Sequence, residues 1–560
     1  MRCAILIAVL AATPLVHADD YRLPPANEST LSLFVRQVHV QGVTAFPASE
    51  IDAITAPYTN RTLTTEDLQA LRHALSQHYL DAGYVSSGVM IPDQEASDGV
   101  LELQAIEGTL TRIDIEGNPA LADRYVTSRL RRHLGGALNV GELQYALQWL
   151  QMDPNVTRLD ARLVPGDALG DGALALALDE PPRFSMALAA DNYGSSSVGS
   201  ERGVLSATVR NITGYAEQLS AYGALADGSN DWGTSFEVPL TRWNTRLFAY
   251  YSTSDAKIIE RTFEDLDIES QTDTWGVLIA QPLLERPNDT LTLTVGFEAK
   301  HSETELLGLP FSFSPGARDG VTDSSAVLAG LEYSNRGDNH VATLRATLHH
   351  GIDALDATIF DPQNELEELQ NPTGADSEFD MVLTQGLYLY RLNALQWFAS
   401  LPDRGQLVLR SAAQLAQDPL MSLEKLAIGG AHTVRGYPEN LLVRDNGVAA
   451  TIEVQFPIPG YRAEPHPLNL VIAPFLDVGR SWDEEDTDLL SSTRDTDEAR
   501  TIVGAGIGLI WLPFRGFSAQ VYWGIDAADD FDGDDPRDSM DDGDLQADGV
   551  HFEAKYSIQL

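Results

Sequence analysis

LTLTVGFEAK, residues 291–300, alternates without a slip: Leu291, Leu293, Val295, Phe297 and Ala299 fall on one face, and Thr292, Thr294, Gly296, Glu298 and Lys300 on the other. A period of two marks a β-strand, and an apolar run confined to one face marks a strand with two different surroundings. The same dyad returns in ATLRATLHH (342–350), VAATIEVQFPI (448–458), FSAQVYWGI (517–525) and HFEAKYSIQL (551–560). Beyond Pro181-Pro182 no helical period interrupts it, and such segments begin near positions 183, 202, 214, 232, 243, 272, 289, 324, 340, 379, 405, 447, 467, 501, 516 and 550. Sixteen antiparallel strands of about ten residues predict a transmembrane β-barrel over residues 182–560. Lipid cannot hydrogen-bond a free strand edge, so the sheet must close, and closure at this size leaves an aqueous lumen. A soluble β-solenoid or tandem sandwiches would fit the dyads too, but no short repeat is present and the connections alternate in length. Pro239–Asn244 and Pro513–Gly516 read as periplasmic turns, whereas 303–323, 352–377, 480–500 and 526–549 read as extracellular loops.

The amino terminus agrees with export. MRCAILIAVLAATPLVHA has Arg2, an apolar run from Ala4 to Leu15, and small residues Val16 and Ala18 before a cleavage point, so residues 1–18 read as a secretory signal. Cys3 lies within it, and the mature chain then has no cysteine for a disulfide or a thiolate metal site. A short Pro-containing segment, 19–32, precedes two mixed units. In 33–108 a strand-like VRQVHVQGV (35–43) is followed by a helical TTEDLQALRHALSQHYLDAG (64–83) and by YVSSGVMI and GVLELQAI; 109–181 repeats the order strand, helix, helix, strand, strand. An internal repeat of about 75 residues implies two copies of one α+β domain.

The formal charge of −45 excludes a phosphate-binding surface, so nucleic acid is not an expected partner. Ile525–Gly549 holds eleven aspartates, as suits a solvated loop; its glycine spacing, Pro536 and the lack of flanking helices do not fit an EF-hand. His349-His350 reads as a loop-edge pair. No nucleophile elbow, phosphate loop or H-E-x-x-H occurs, so no catalytic residue, metal ligand or cofactor is expected.

GGAHTVRGYPEN (429–440) places Arg435 in a loop between the eleventh and twelfth dyads, and FLDVG (475–479) lies on the thirteenth. With the paired mixed units, these residues resemble the two-partner secretion transporters of the Gram-negative outer membrane, the haemolysin/haemagglutinin secretion-activation type of the POTRA-barrel superfamily. The resemblance covers residues 33–560 and implies two periplasmic POTRA domains, 33–108 and 109–181. It further implies a loop folded into the lumen, carrying Gly429, Gly430, Val434, Arg435, Gly436 and Tyr437, with Arg435 paired to Asp477 of the Phe475-x-Asp477-x-Gly479 strand. An arginine fork on a carboxylate suits a partly desolvated lumen, where an unpaired charge is costly. Asp191, Asn192 and Gly194 in DNYGSSSVGSER resemble the family's first-hairpin motif, with structural roles first. The 19–32 segment is too short for the plug helix and linker found in many relatives. The implied partners are a secreted exoprotein of adhesin or haemolysin type, outer-membrane lipid, and the barrel-assembly machinery during biogenesis. The competing function is an assembly factor of the same superfamily, whose members carry more POTRA repeats.

Overall fold

The computed structural model describes residues 32–560 apart from 96–97, 118–119, 262, 362, 365–370, 372, 393–404, 459–468, 485–498 and 530–543. The signal segment, residues 19–31 and the centre of the Asp-rich loop therefore lie outside the described residues. The contacts divide the chain near Pro181 into two units.

In the amino-terminal unit, helix Thr65–Asp81 begins at a capping box: the Thr64 hydroxyl accepts from the Asp67 amide while the Asp67 carboxylate accepts from the Thr64 amide. Leu71, Leu75 and Tyr79, four residues apart on one face, join the core that contains Leu101 and Leu103 of strand Val100–Ile106. That strand is central, parallel to Gln37–Gln41 and antiparallel to Gly88–Met90. Two expected strands come out shorter. The run 35–43 breaks at Arg36, because the Arg36 and Gln37 amides both donate to the Gly99 carbonyl, and Ser32–Val35 pairs instead with Arg61–Thr64. YVSSGVMI keeps only Gly88–Met90 as strand, since the Ser87 amide closes a turn on Tyr84.

Residues 110–179 repeat the pattern down to its pairing. Leu110–Glu116, helices Asp123–Arg131 and Val140–Gln151, Arg158–Pro165 and Gly172–Asp179 follow in order. The last strand is again central, parallel to the first and antiparallel to the fourth element. The repeat is one of topology as well as of sequence order.

From Phe184 onward sixteen long strands form a closed barrel, with the two-residue Leu309–Pro310 folding back on the seventh. The first, Phe184–Asp191, pairs antiparallel with the sixteenth, Val550–Gln559, from Asp191 opposite Glu553 to Ser185 opposite Gln559. Reciprocal bonds between Phe184 and Leu560, 3.1 and 2.8 Å, extend this seam. The other strands used below are the second, Arg202–Arg210; fifth, Arg246–Lys257; sixth, Ile268–Glu285; seventh, Asp289–Leu306; eighth, Val321–Arg336; ninth, His340–Gly351; and eleventh, Gln406–Ala416. Asn446–Pro457, Asn469–Trp482, Arg500–Leu512 and Phe517–Asp529 are the twelfth to fifteenth.

Outward positions carry the belt that the dyads predict. Ile279, Val295, Leu331, Leu344, Ile452, Leu476, Ile507 and Val521 are all exposed. Register places them on one side of the wall: Ile279 opposes Val295, and Leu331 lies two residues from Ala329, which also opposes Val295. An apolar surface of this extent has lipid as its natural solvent.

Two expectations are corrected. The sixth and seventh strands each run 18 residues, so the loop read as starting at 303 begins after Leu306. Their ladder continues from Ile268–Leu306 inward, and hydroxyls such as Thr272 and Ser302 bond across it at 3.0 Å. Beyond the membrane both faces of a strand tolerate polar residues, and backbone pairing continues after the apolar dyad stops. His349-His350 is not a loop-edge pair: both residues lie within the ninth strand, opposite Leu328 and Val327. Neighbouring strand residues point to opposite faces, so His349 is buried while exposed His350 meets Asp380 at 2.8 Å.

Val295→Arg should destabilise the inserted barrel by roughly 2–4 kcal/mol, the cost of a cation near the lipid midplane, whereas Thr294→Arg on the lumen face should cost far less. Denaturant titration of the barrel in vesicles, read by heat-modifiable gel mobility, separates the two.

Candidate functional site

Residues 417–445 join the eleventh and twelfth strands without forming part of the wall. Leu426–Ile428 pairs with Leu442–Arg444 as a short stem, and the tip between them packs inward through Ile428, Val434, Tyr437 and Leu442 against Ile502 of the fourteenth strand. The wall makes room for it with glycine. A Cβ on Gly504 would overlap the Arg435 carbonyl oxygen, one on Gly479 would sit 2.8 Å from Val434 Cγ2, and one on Gly524 would sit 2.8 Å from the Gly436 nitrogen. Gly429, Gly430 and Gly436 all have positive φ, at 120°, 95° and 99°. A side chain on Gly429 would also overlap the Pro438 carbonyl oxygen, and one on Gly436 would meet the Gly524–Ile525 backbone at 3.1 Å.

This turn delivers Arg435 to a pair of carboxylates. Its amide and Nε donate to Asp477 Oδ2 at 3.0 and 2.8 Å, and Nη2 donates to Oδ1 at 3.0 Å. Nη1 donates to Glu453 Oε2 at 2.6 Å. The guanidinium carbon lies 3.7 Å from the centre of the Phe475 ring and 4.6 Å from that of Tyr522. Arg435 is 2 % exposed and both carboxylates are fully buried. Burial alone would lower the arginine pKa, but the hydrogen bonds and charge of Asp477, then Glu453, more than offset it and hold the pKa above its ordinary value. Tyr437 donates to the Ala528 carbonyl at 3.0 Å, fixing the tip to the fifteenth strand as well. A sixteen-stranded barrel preceded by α+β units has counterparts among known proteins.

The family model for haemolysin secretion/activation proteins ShlB/FhaC/HecB matches residues 170–510, and the ShlB-type POTRA model matches residues 33–108. The chain belongs to the ShlB/FhaC/HecB family. It is a two-partner secretion transporter of the outer membrane, a family whose POTRA domains are periplasmic. The outer membrane transporter CdiB of Dickeya dadantii is 23% identical over 428 residues, covering 74% of this chain and 70% of that one. The heme/hemopexin transporter protein HuxB of Haemophilus influenzae strain 86-028NP is 21% identical over 467 residues, 82% of this chain and 77% of the relative. The structure of CdiB from Escherichia coli superposes with a TM-score of 0.63 at 20% identity, covering 98% of this chain and 94% of that chain, and so shares the fold.

In this ShlB/FhaC/HecB-family protein the 191–194 motif lies at the barrel seam, apart from Arg435. Asp191 accepts from the Tyr193 amide at 3.0 Å and from Arg202 Nε at 2.9 Å. Asn192 is fully buried; its side chain donates to the Val550 carbonyl and accepts from the Phe552 amide, both at 2.8 Å, so that it continues the ladder one rung beyond Asp191. Gln546 then ties the seam to the loop. Its Nε2 donates to the carbonyls of Asn192 at 2.5 Å and Gly194 at 2.9 Å, while its Oε1 accepts from the Glu439 amide at 3.1 Å. Glu439 accepts in turn from the Ala431 amide at 2.7 Å, and burial raises its pKa to about 7.

Sequence reasoning missed Glu453, Tyr522, Gln546 and the wall glycines Gly504 and Gly524. Glu453 was within reach, since VAATIEVQF places it inward on the strand beside Asp477, with Thr451 opposite Asp477 and Glu453 opposite Phe475. Gln546 follows an Asp-rich run and carries no local signal.

Two outcomes follow for the loop. Gly504→Ala, which removes no charged group, should free the tip and raise hydrogen exchange of residues 429–441 by roughly tenfold or more, the scale of one lost charge-assisted bond. Because the Glu439 pKa is raised above its unfolded value of 4.5 to about 7, its contribution to docking is fullest below the unfolded value and is lost as pH rises through about 7. Exchange protection of the tip should fall between pH 5 and pH 8, and Glu439→Gln should flatten that profile.

Proposed function

We propose that this transporter receives an unfolded exoprotein on its periplasmic α/β units and passes it through the barrel to the cell surface without nucleotide hydrolysis, with loop 417–445 governing the passage. The observation that carries this reading is the four-bond attachment of Arg435 to Asp477 and Glu453. A loop joined to the wall only at its two ends, and held inside the lumen by charge, has a docked state and an undocked one. The motif residues Gly429, Gly430, Val434, Gly436 and Tyr437 shape the docked state, Phe475, Asp477 and Gly479 receive it, and Asp191, Asn192 and Gly194 hold the seam beside it.

Residues 109–181 act as a second POTRA domain, a role supported by their repeat of the first unit's sheet pairing. Free edges at Gln37–Gln41, Gly88–Met90, Leu110–Glu116 and Arg158–Pro165 suit the addition of an extended segment, which supplies backbone affinity without demanding one sequence. The sequence has no phosphate loop, so docking and folding outside the cell supply the work. The cargo is of adhesin or haemolysin type, in keeping with relatives named heme/hemopexin transporter protein and hemolysin transporter protein. The lipid-facing belt places the barrel in the outer membrane, and the alternating final strand suits recognition by the barrel-assembly machinery.

Arg435→Ala should leave the barrel inserted and heat-modifiable yet reduce export of its exoprotein by roughly tenfold or more, because it strands two buried carboxylates. Asp477→Ala should do likewise, with the double variant far from additive. Normal export by Arg435→Ala would sink this role for the loop. A deletion strain that loses many barrel proteins while exporting that exoprotein normally would identify an assembly factor instead.

A further inference from the structure

The arginine cluster holds only the far end of the loop. Nearer its start, Glu424 lies in a one-turn helix, Ser422–Glu424, and meets the opposite arc of the wall. Lys300 Nζ of the seventh strand donates to Glu424 Oε2 at 2.8 Å and to the Leu423 carbonyl at 3.2 Å. Ser324 of the eighth strand donates to Glu424 Oε1 at 2.8 Å, and Gln414 Nε2 of the eleventh donates to the Glu424 carbonyl at 2.9 Å. The loop is therefore tied to the seventh and eighth strands through Glu424 and to the twelfth and thirteenth through Arg435, while Lys425, next to Glu424, pairs with Asp445 at 2.9 Å and with Asp483, just past the thirteenth strand, at 3.2 Å.

The two ties differ in what their rupture leaves behind. Withdrawing Arg435 leaves Asp477 and Glu453, both fully buried, facing an uncompensated neighbour. Withdrawing Glu424 leaves no such orphan. Glu298 stands two residues before Lys300 on the same face, with its carboxylate already 3.5 Å from Nζ and bonded by the Tyr250 hydroxyl of the fifth strand. The Lys300 side chain is 19% exposed, against 3% for Arg435. Leu420 is buried against Ala326, Leu328, Phe379 and Met381, and anchors the loop four residues before Glu424.

We propose that Lys300 is a positioning residue of the transport loop: it closes the gap between the Ser422–Glu424 turn and the fifth-to-eighth-strand wall through Glu424, and passes to Glu298 when the turn moves aside. The Ser422–Glu424 turn is then the part that opens while the arginine end stays seated, and the translocating chain runs along the arc lined by Tyr250, Glu298, Ser324 and His349. This rests on the secretion reading for its biological meaning, though the latch itself needs no cargo to be observed.

The test uses the purified full-length protein in planar lipid bilayers. Glu424→Gln keeps the shape and the Ser324 contact but removes the charge; it should raise the time spent in open states by about tenfold, the factor for one lost charge-assisted hydrogen bond. Lys300→Glu and Glu424→Lys should each do the same, and the combined swap should restore wild-type closure. Heat-modifiable mobility checks folding, and Glu424→Gln decides the matter if a charge reversal fails to insert. Wild-type closure in folded Glu424→Gln, or a folded double swap as leaky as the single changes, overturns the latch whatever happens to secretion. Absence of export by the wild-type protein would overturn the proposed function and leave the conductance result standing.

Discussion

Everything distinctive about the lumen follows from one arginine enclosed by two carboxylates. A cation removed from water must be repaid by close geometry, and Arg435 achieves this with four hydrogen bonds and two ring faces. That geometry dictates the rest. The loop backbone must approach the wall closely enough for the Arg435 amide itself to donate to Asp477, and this is why the wall at Gly479, Gly504 and Gly524 has no side chains to offer. The outer surface imposes a separate constraint, an unbroken alternation of exposed apolar residues, and the strands satisfy both at once because inward and outward positions never compete.

The barrel was legible because a one-sided strand writes its environment into every second residue. LTLTVGFEAK is the clearest case: Val295 is exposed on the outer face, while on the other face Lys300 meets the loop and Glu298 stands beside Lys300. The alternation also explains where reading failed. It ends with the membrane while the ladder does not, so the extra polar strand at 268–271 and 303–306 looked like loop. The paired histidines misled for a related reason, since adjacency in a strand means separation in space.

Within the site, the Arg435–Asp477 geometry rests on residues that carry a recognisable motif, whereas Glu453 lies in an ordinary dyad whose inward direction was readable but whose partner was not. Contacts supplied by glycine have no side chain to reveal them: Gly504 matters for what is missing. Gln546 is reached only through folding, joining the seam to the loop from a segment dominated by aspartate. Local pattern conveys secondary structure and facing; long-range pairing of polar groups is set by the closed sheet.

The Asn192 rung at the seam has a kinetic consequence. It lies one residue past the first strand and reaches Val550, 358 residues later in the chain, so the sheet keeps a free edge until the sixteenth strand is in place. Contacts of such separation form late, because the entropy of closing the intervening chain is lost before the contact rewards it. Until then both terminal strands present unpaired edges, the aggregation hazard that closure removes. The loop meets the same timing, since its arginine waits on strands synthesised after it, and maturation of the lumen and sealing of the wall become one late event.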